Sequence, residues 1–91
     1  MLSFAHTASA EREFGKTLGT MGTQGTNSYF YVEGNFQLPC KFDVVYVPLT
    51  STFGKFAYGQ LLTAKALNVP LSRIDYIQNS SDICILTLVE L

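Results

Sequence analysis

Tryptophan is absent from this chain, histidine occurs once and cysteine twice, and only 14% of residues are charged. Each scarcity excludes something. His6, Cys40 and Cys84 stand at no ligand spacing, so no metal framework is expected, and no cofactor motif replaces it. Two cysteines in apolar segments are expected as buried free thiols in a reducing compartment. Six basic against seven acidic residues give a net charge of −1. Such a chain has no overall field to gather a nucleic-acid backbone or an anionic membrane, so charge does not favour a nucleic-acid partner. No apolar run approaches the roughly 20 residues of a membrane span. The start, Met1 to Ala10, lacks the basic region of a signal peptide, which predicts a soluble cytoplasmic protein with no membrane partner.

What is present is apolar: 47% of the 91 residues are hydrophobic. A single domain of this size, residues 1–91, buries only about 60% of its unfolded surface. Low charge over so small a body predicts that a second copy covers part of the surface, making a homo-oligomer.

The pattern along the chain predicts an α+β fold. Ala10, Phe14 and Leu18 fall four apart behind the cap candidates Thr7 and Ser9, predicting a short N-terminal helix over residues 8–18. Three triplets follow, Leu18-Gly19-Thr20, Met21-Gly22-Thr23 and Gln24-Gly25-Thr26, and they predict a flexible Gly-Thr hinge, with residues 1–26 as an arm. The core is then residues 27–91. Ser28 to Val32, a turn at Glu33-Gly34-Asn35 and Phe36 to Leu38 read as a β-hairpin. Beyond Cys40, Phe42, Val44 and Tyr46 alternate as a buried strand face. Ser51 to Leu67 carries Phe53, Phe56, Ala57, Leu61, Ala64 and Leu67 at helical steps, capped by Thr50 or Ser51 and ended by Asn68 and Pro70. Residues 73–78 fit strand or helix. Asn79 to Asp82 is a turn, and Ile83 to Val89 reads as a strand buried on both faces, so a C-terminal hairpin completes a small, mainly antiparallel sheet.

Catalytic signals are sparse. Ala10 to Thr17 satisfies a loose phosphate-loop pattern, but it follows no strand and carries two glutamates that would repel phosphate. An enzyme would need at least two of Asp43, Asp75, Tyr76, Cys84 and His6 to converge in a pocket.

A second reading begins at Gly59. Were the helix to break there, Gln60 to Val69 and Pro70 to Ile77 would form two helices, with small Ala64 at their crossing, Asn68 in the turn and Leu67, Val69, Ile74 and Ile77 between them. In Gly59-Gln60, Thr63-Ala64-Lys65, Leu67, Val69, Ser72, Ile74 and the later Leu86-Thr87, residues 48–88 resemble the helix-turn-helix of lambdoid phage Cro repressors. The resemblance implies a DNA-binding regulator with Gln60, Lys65, Ser72, Arg73 and Gln78 at the DNA. The alternative is one long helix, a turn at residues 68–72 and a strand from Arg73.

The leading expectation is a non-enzymatic interaction or assembly protein of the kind phages and mobile elements encode. Its exposed surface is expected to include Tyr29, Tyr31 and Tyr58.

Overall fold

The computed structural model describes residues 9–91, and His6 lies outside them. Six strands and one long helix follow one another as β1 (Ser9–Lys16), β2 (Leu18–Gln24), β3 (Asn27–Val32), β4 (Val45–Pro48), α1 (Thr52–Leu67), β5 (Leu71–Gln78) and β6 (Cys84–Glu90). They form one mixed α+β sheet in the order β1-β5-β6-β4-β3-β2, antiparallel except for β4 with β6. Only Thr17 separates β1 from β2, although they are the sheet's two edges. The sheet therefore curls until the halves of one bent strand supply both margins, with Gly15 in the left-handed region at the bend.

This arrangement corrects the N-terminal helix and the hinge. Residues 9–16 are a strand, because β5 offers Ile74 and Tyr76 to pair with Glu13 and Glu11, and tertiary pairing overrides a four-residue periodicity. The glycine triplets are strand β2, closed by a turn at Gly25. Their glycines serve packing: a Cβ on Gly22 would lie 2.4 Å from the Tyr29 hydroxyl, so the tyrosine ring spreads across the bare backbone.

The hairpin expected at residues 28–38 is half right. Its turn forms, with Asn35 N donating to Val32 O at 3.3 Å, but Phe36 to Leu38 joins no strand. Residues 35–41 instead run as a strap across the inner face of the sheet. Phe36 sits edge-on between Phe30 and Tyr76, with centroids 5.7 and 5.4 Å away.

Cys40 at the end of the strap forms a disulfide with Cys84 at the start of β6, so the expected free thiols are corrected. Two neighbouring contacts set their proximity: Lys41 N donates to Asp82 O at 2.8 Å, and β4 pairs beside Cys84. After Cys40 a single 3-10 turn, Lys41–Asp43, holds Phe42 and Asp43 at φ near +60°. That turn flips the alternation, so Val45 and Val47 face the core while Phe42 stands exposed and Tyr46 lies on the outer face.

Helix α1 runs unbroken through Gly59, from Ser51, whose Oγ accepts from Gly54 N at 2.9 Å, to Asn68 in the left-handed conformation. Its core stripe is Gly54, Ala57, Leu61 and Ala64 rather than the phenylalanines. Small residues face the sheet because the helix lies close: a Cβ on Gly54 would sit 1.6 Å from Pro48 O. Phe53, Phe56 and Leu67 consequently point away from the core.

Residues 71–78 are strand β5, hydrogen-bonded between β1 and β6, so the two-helix arrangement does not form. The turn at residues 79–82 is as expected, with Asn79 Oδ1 accepting from Ser81 N and Ile83 N. Strand β6 buries one face, not two. A bulge at Thr87, between partners Leu86 and Leu88, moves the inward position from Leu86 to Val89. Among the described residues no helix is long and apolar enough to cross a membrane.

Candidate functional site

Strand pairing aligns one row of residues across the outer face, the face turned away from α1. The row reads Gly22, Tyr29, Tyr46, Ile85, Ile77 and Ala10, one from each strand. Its aromatic end is built by alternation: Tyr29 and Tyr31 project outward from β3, and Tyr46 stands directly opposite Tyr29 on β4. The rings meet edge to face, Tyr29 to Tyr31 at 6.3 Å and Tyr29 to Tyr46 at 6.2 Å. Phe42, 66% exposed, closes the rim, with Lys41 Nζ 5.5 Å from its ring centre.

Two open hollows adjoin here and share Gln24 and Tyr46. One, about 280 Å³, lies among Tyr29, Tyr31, Phe42 and Val44, and the other, about 340 Å³, among Asn27, Pro48, Ile83 and Ile85. The lining offers ring faces, tyrosine hydroxyls and two amides, with no carboxylate, imidazole or thiol. Such a surface offers ring contacts and neutral hydrogen-bonding groups, with the tyrosine hydroxyls as its titratable side chains.

A charged outer patch occupies β1 and β5. Asp75 accepts from Nε and Nη2 of Arg12, at 3.0 and 3.1 Å, and from Nε and Nη2 of Arg73, at 3.3 and 3.0 Å. Hydrogen bonds from Arg73 and then Arg12 hold its carboxyl down to about 2. Asp75, with Glu90 3.8 Å from Arg73 Nη1, offsets the charge of the two arginines.

On the inner face, the side chain of Glu13 is almost wholly buried. It accepts from Tyr76 Oη and from Gln37 N, the latter at 2.8 Å, while Lys16 Nζ lies 3.1 Å from its other oxygen. That second contact is an ion pair without hydrogen-bond alignment, since Oε1 has no hydrogen-bond donor. Tyr76 Oη in turn accepts from Leu38 N at 3.2 Å. Burial first, and the Glu13 carboxylate second, push the tyrosine well above its ordinary range. Together with Gln78 Nε2 on Pro39 O and Lys16 Nζ on Asn35 O, this network fastens the strap.

The residues singled out from sequence are only partly gathered. Tyr29 and Tyr31 stand together in the aromatic hollow, whereas Tyr58 lies on α1, on the opposite side of the sheet. Gln60 and Lys65 are on α1, where Lys65 Nζ donates to Gly19 O at 2.6 Å. Ser72, Arg73 and Gln78 are on β5, with Arg73 turned to the outer patch and Gln78 buried under the strap. Asp75 faces outward, Tyr76 inward, Cys84 is in the disulfide and Asp43 is in the 3-10 turn, so these four do not converge. Among the described residues no group of three or more acidic, histidine or cysteine side chains could hold a metal.

Tyr46, Phe42 and Gln24 complete the hollows and were not singled out. The available signal was Gly22 opposite Tyr29, a glycine that leaves room for a ring on the neighbouring strand. No protein-family model, curated protein or solved structure matches the chain.

Proposed function

We propose that this chain is a non-enzymatic assembly module that self-associates through the outward side of α1. The supporting observation is the apolar outward side of α1. Away from Gly54, Ala57, Leu61 and Ala64 stand Phe56 at 72% exposure and Leu67 at 66%, with Phe53 at 40% on the flank next to Ala64 and Leu62 at 44% on the other flank. With aromatic side chains contributing on the order of 200 Å² each when fully bared, Phe53, Phe56 and Leu67 on one side present roughly 300 Å² of apolar surface. That is within the range of the largest apolar patch on a monomer, and the rest of the roughly 800 Å² each partner contributes to a stable interface would come from around it.

Spacing favours a second copy as the occupant. Phe56, Gly59, Thr63 and Ala66 recur at steps of three and four, the seam of a helix pair, with Leu67 beside them. In an antiparallel two-fold pairing, Phe56 of one copy meets Leu67 of the other and the reverse, while Gly59, Thr63 and Ala66 between them allow close approach. Among the residues on this outward side only Lys55 is charged, so little opposes dehydration.

Light scattering at micromolar concentration tests the reading. A dimer that becomes a monomer on Phe56→Glu is expected, and a wild-type monomer would overturn it.

A further inference from the structure

The free margin of β2 lies beside a flank of α1 that the proposed dimer leaves open. We infer that this strand edge and that flank form a docking groove for an acidic, extended segment of a partner protein, which adds to the sheet as a further strand. Lys65 stands nine positions from Phe56, about half a turn round the helix axis. The groove and the Phe56 side therefore face apart, and the inference does not rest on self-association.

The first ground is the phase of the backbone. Thr26 O accepts from Leu49 N at 2.9 Å, which turns that residue to the β4 side. Alternation then turns the peptide groups of Asn27 and Tyr29 to β2, where Gln24 and Gly22 stand opposite them. The N–H and C=O of Met21 and Thr23 consequently point away from β3, at the margin of the sheet. Donors and acceptors repeating every second residue match the main chain of an extended peptide, which carries the same groups at the same repeat.

Lys65 supplies the second ground, because it shows this edge accepting a donor. Its Nζ crosses from α1 and donates to Gly19 O at 2.6 Å, an edge carbonyl just before Met21. The bulge between Leu18 and Met21 ends the regular ladder there, so the lysine closes one end of the groove and residues 21–24 stay open. The other margin of the sheet is built differently. β1 carries Glu11 and Arg12, charges of the kind that keep a strand edge from pairing, whereas β2 carries none.

The wall opposite the edge is the third ground. Gly54 at the start of α1 lies against Pro48 O, Pro48 is level with Asn27, and Asn27 is level with Gln24. Lys65 near the helix end reaches Gly19, so α1 runs antiparallel to β2 along its length. Tyr58, Leu62 and Lys65 fall at helical steps on the side that meets Gly19. Leu62 is exposed and Tyr58 half-buried, which leaves apolar contact for alternate side chains of an added strand.

Charge selects among peptides. α1 and β2 together carry Lys55 and Lys65 and no carboxylate, in a chain whose net charge is −1. An ammonium group has three donors. One goes to Gly19 O, and among the described residues the other two remain for an acidic side chain at that end of the groove.

The probe is an acetylated, amidated hexapeptide in which valine and threonine alternate between two terminal glutamates, titrated into the isotope-labelled full chain and followed by amide NMR and hydrogen exchange. Saturable shifts centred on Met21, Thr23 and Leu62, with slowed exchange of the Met21 and Thr23 N–H, are expected. The analogue with lysine in place of both glutamates should bind at least about tenfold more weakly. Thr23→Pro removes an outward N–H and no β2–β3 bond, and should weaken the acidic peptide at least about tenfold. Lys65→Glu carries the test should Thr23→Pro fail to fold, because it should reverse the preference between the two peptides. Phe56→Glu should leave the affinity unchanged, which separates this groove from self-association. No shift at millimolar peptide, shifts without slowed exchange of Met21 and Thr23, equal binding of the two peptides, or an unchanged preference in Lys65→Glu would overturn the inference. So would slowed exchange of the same two amides on raising the concentration of the chain alone, which would assign the edge to a second copy.

Discussion

Glu13 and Tyr76 show how one pair of side chains decides local order. A carboxylate buried in a strand is costly unless it is compensated, and here Tyr76 and Gln37 donate to Oε2 while Lys16 offsets the charge beside Oε1. Tyr76→Phe removes one donor from a buried acceptor and frees Leu38 N, so a loss of about 1–3 kcal/mol is expected, measured by urea denaturation. Asp75 makes a different, pH-dependent contribution. Its carboxyl lies at about 2 in the fold against about 3.9 in an unfolded chain. A depressed pKa stabilises the fold above the unfolded value, and that contribution is lost as pH falls from about 3.9 through about 2. Asp75→Asn should therefore flatten the fall in melting temperature over that window, and an unchanged slope would place the acid sensitivity elsewhere. Residue-level signals were legible where they act locally. Ser51, Asn68 and the turn at Asn79 could be read from sequence because caps and turns close within a few residues. The Glu13–Tyr76 bond spans 63 positions and leaves no local trace.

Among the elements, α1, β6 and the C-terminal hairpin were readable, since periodicity and a turn suffice to mark them. The first two strands were not. Ala10, Phe14 and Leu18 mimic a helical stripe, but Phe14 is 67% exposed on the outer face and Leu18 is buried only after the bend has reversed the strand's faces. The helix itself is legible but its orientation is not: the large residues suggest the core face, while the face that packs carries Gly54 against Pro48 O, then Ala57, Leu61 and Ala64. The strap is the element most dependent on a covalent link. Cys40 and Cys84 close a loop of 44 positions, for which chain entropy gives about 4 kcal/mol. Reduction, or paired Cys40→Ser and Cys84→Ser, should lower the guanidinium midpoint accordingly. An unshifted midpoint would mean that the side-chain bonds alone hold the strap.

At the scale of the whole molecule, the layered plan leaves two apolar surfaces on opposite sides, the outer stripe of α1 and the aromatic row of the sheet. Low charge leads to the expectation of a covered surface without saying which. Tyr29 and Tyr31 can be picked out along one strand, whereas their meeting with Tyr46 depends on the β3–β4 register. Sedimentation velocity from micromolar to about 100 µM separates the two surfaces directly. Wild type and Tyr46→Ala should both sediment as dimers across the upper range, and Phe56→Glu as a monomer throughout. A wild-type chain that remains monomeric at the highest concentration, or a Phe56→Glu chain that still dimerises, would contradict assembly through α1.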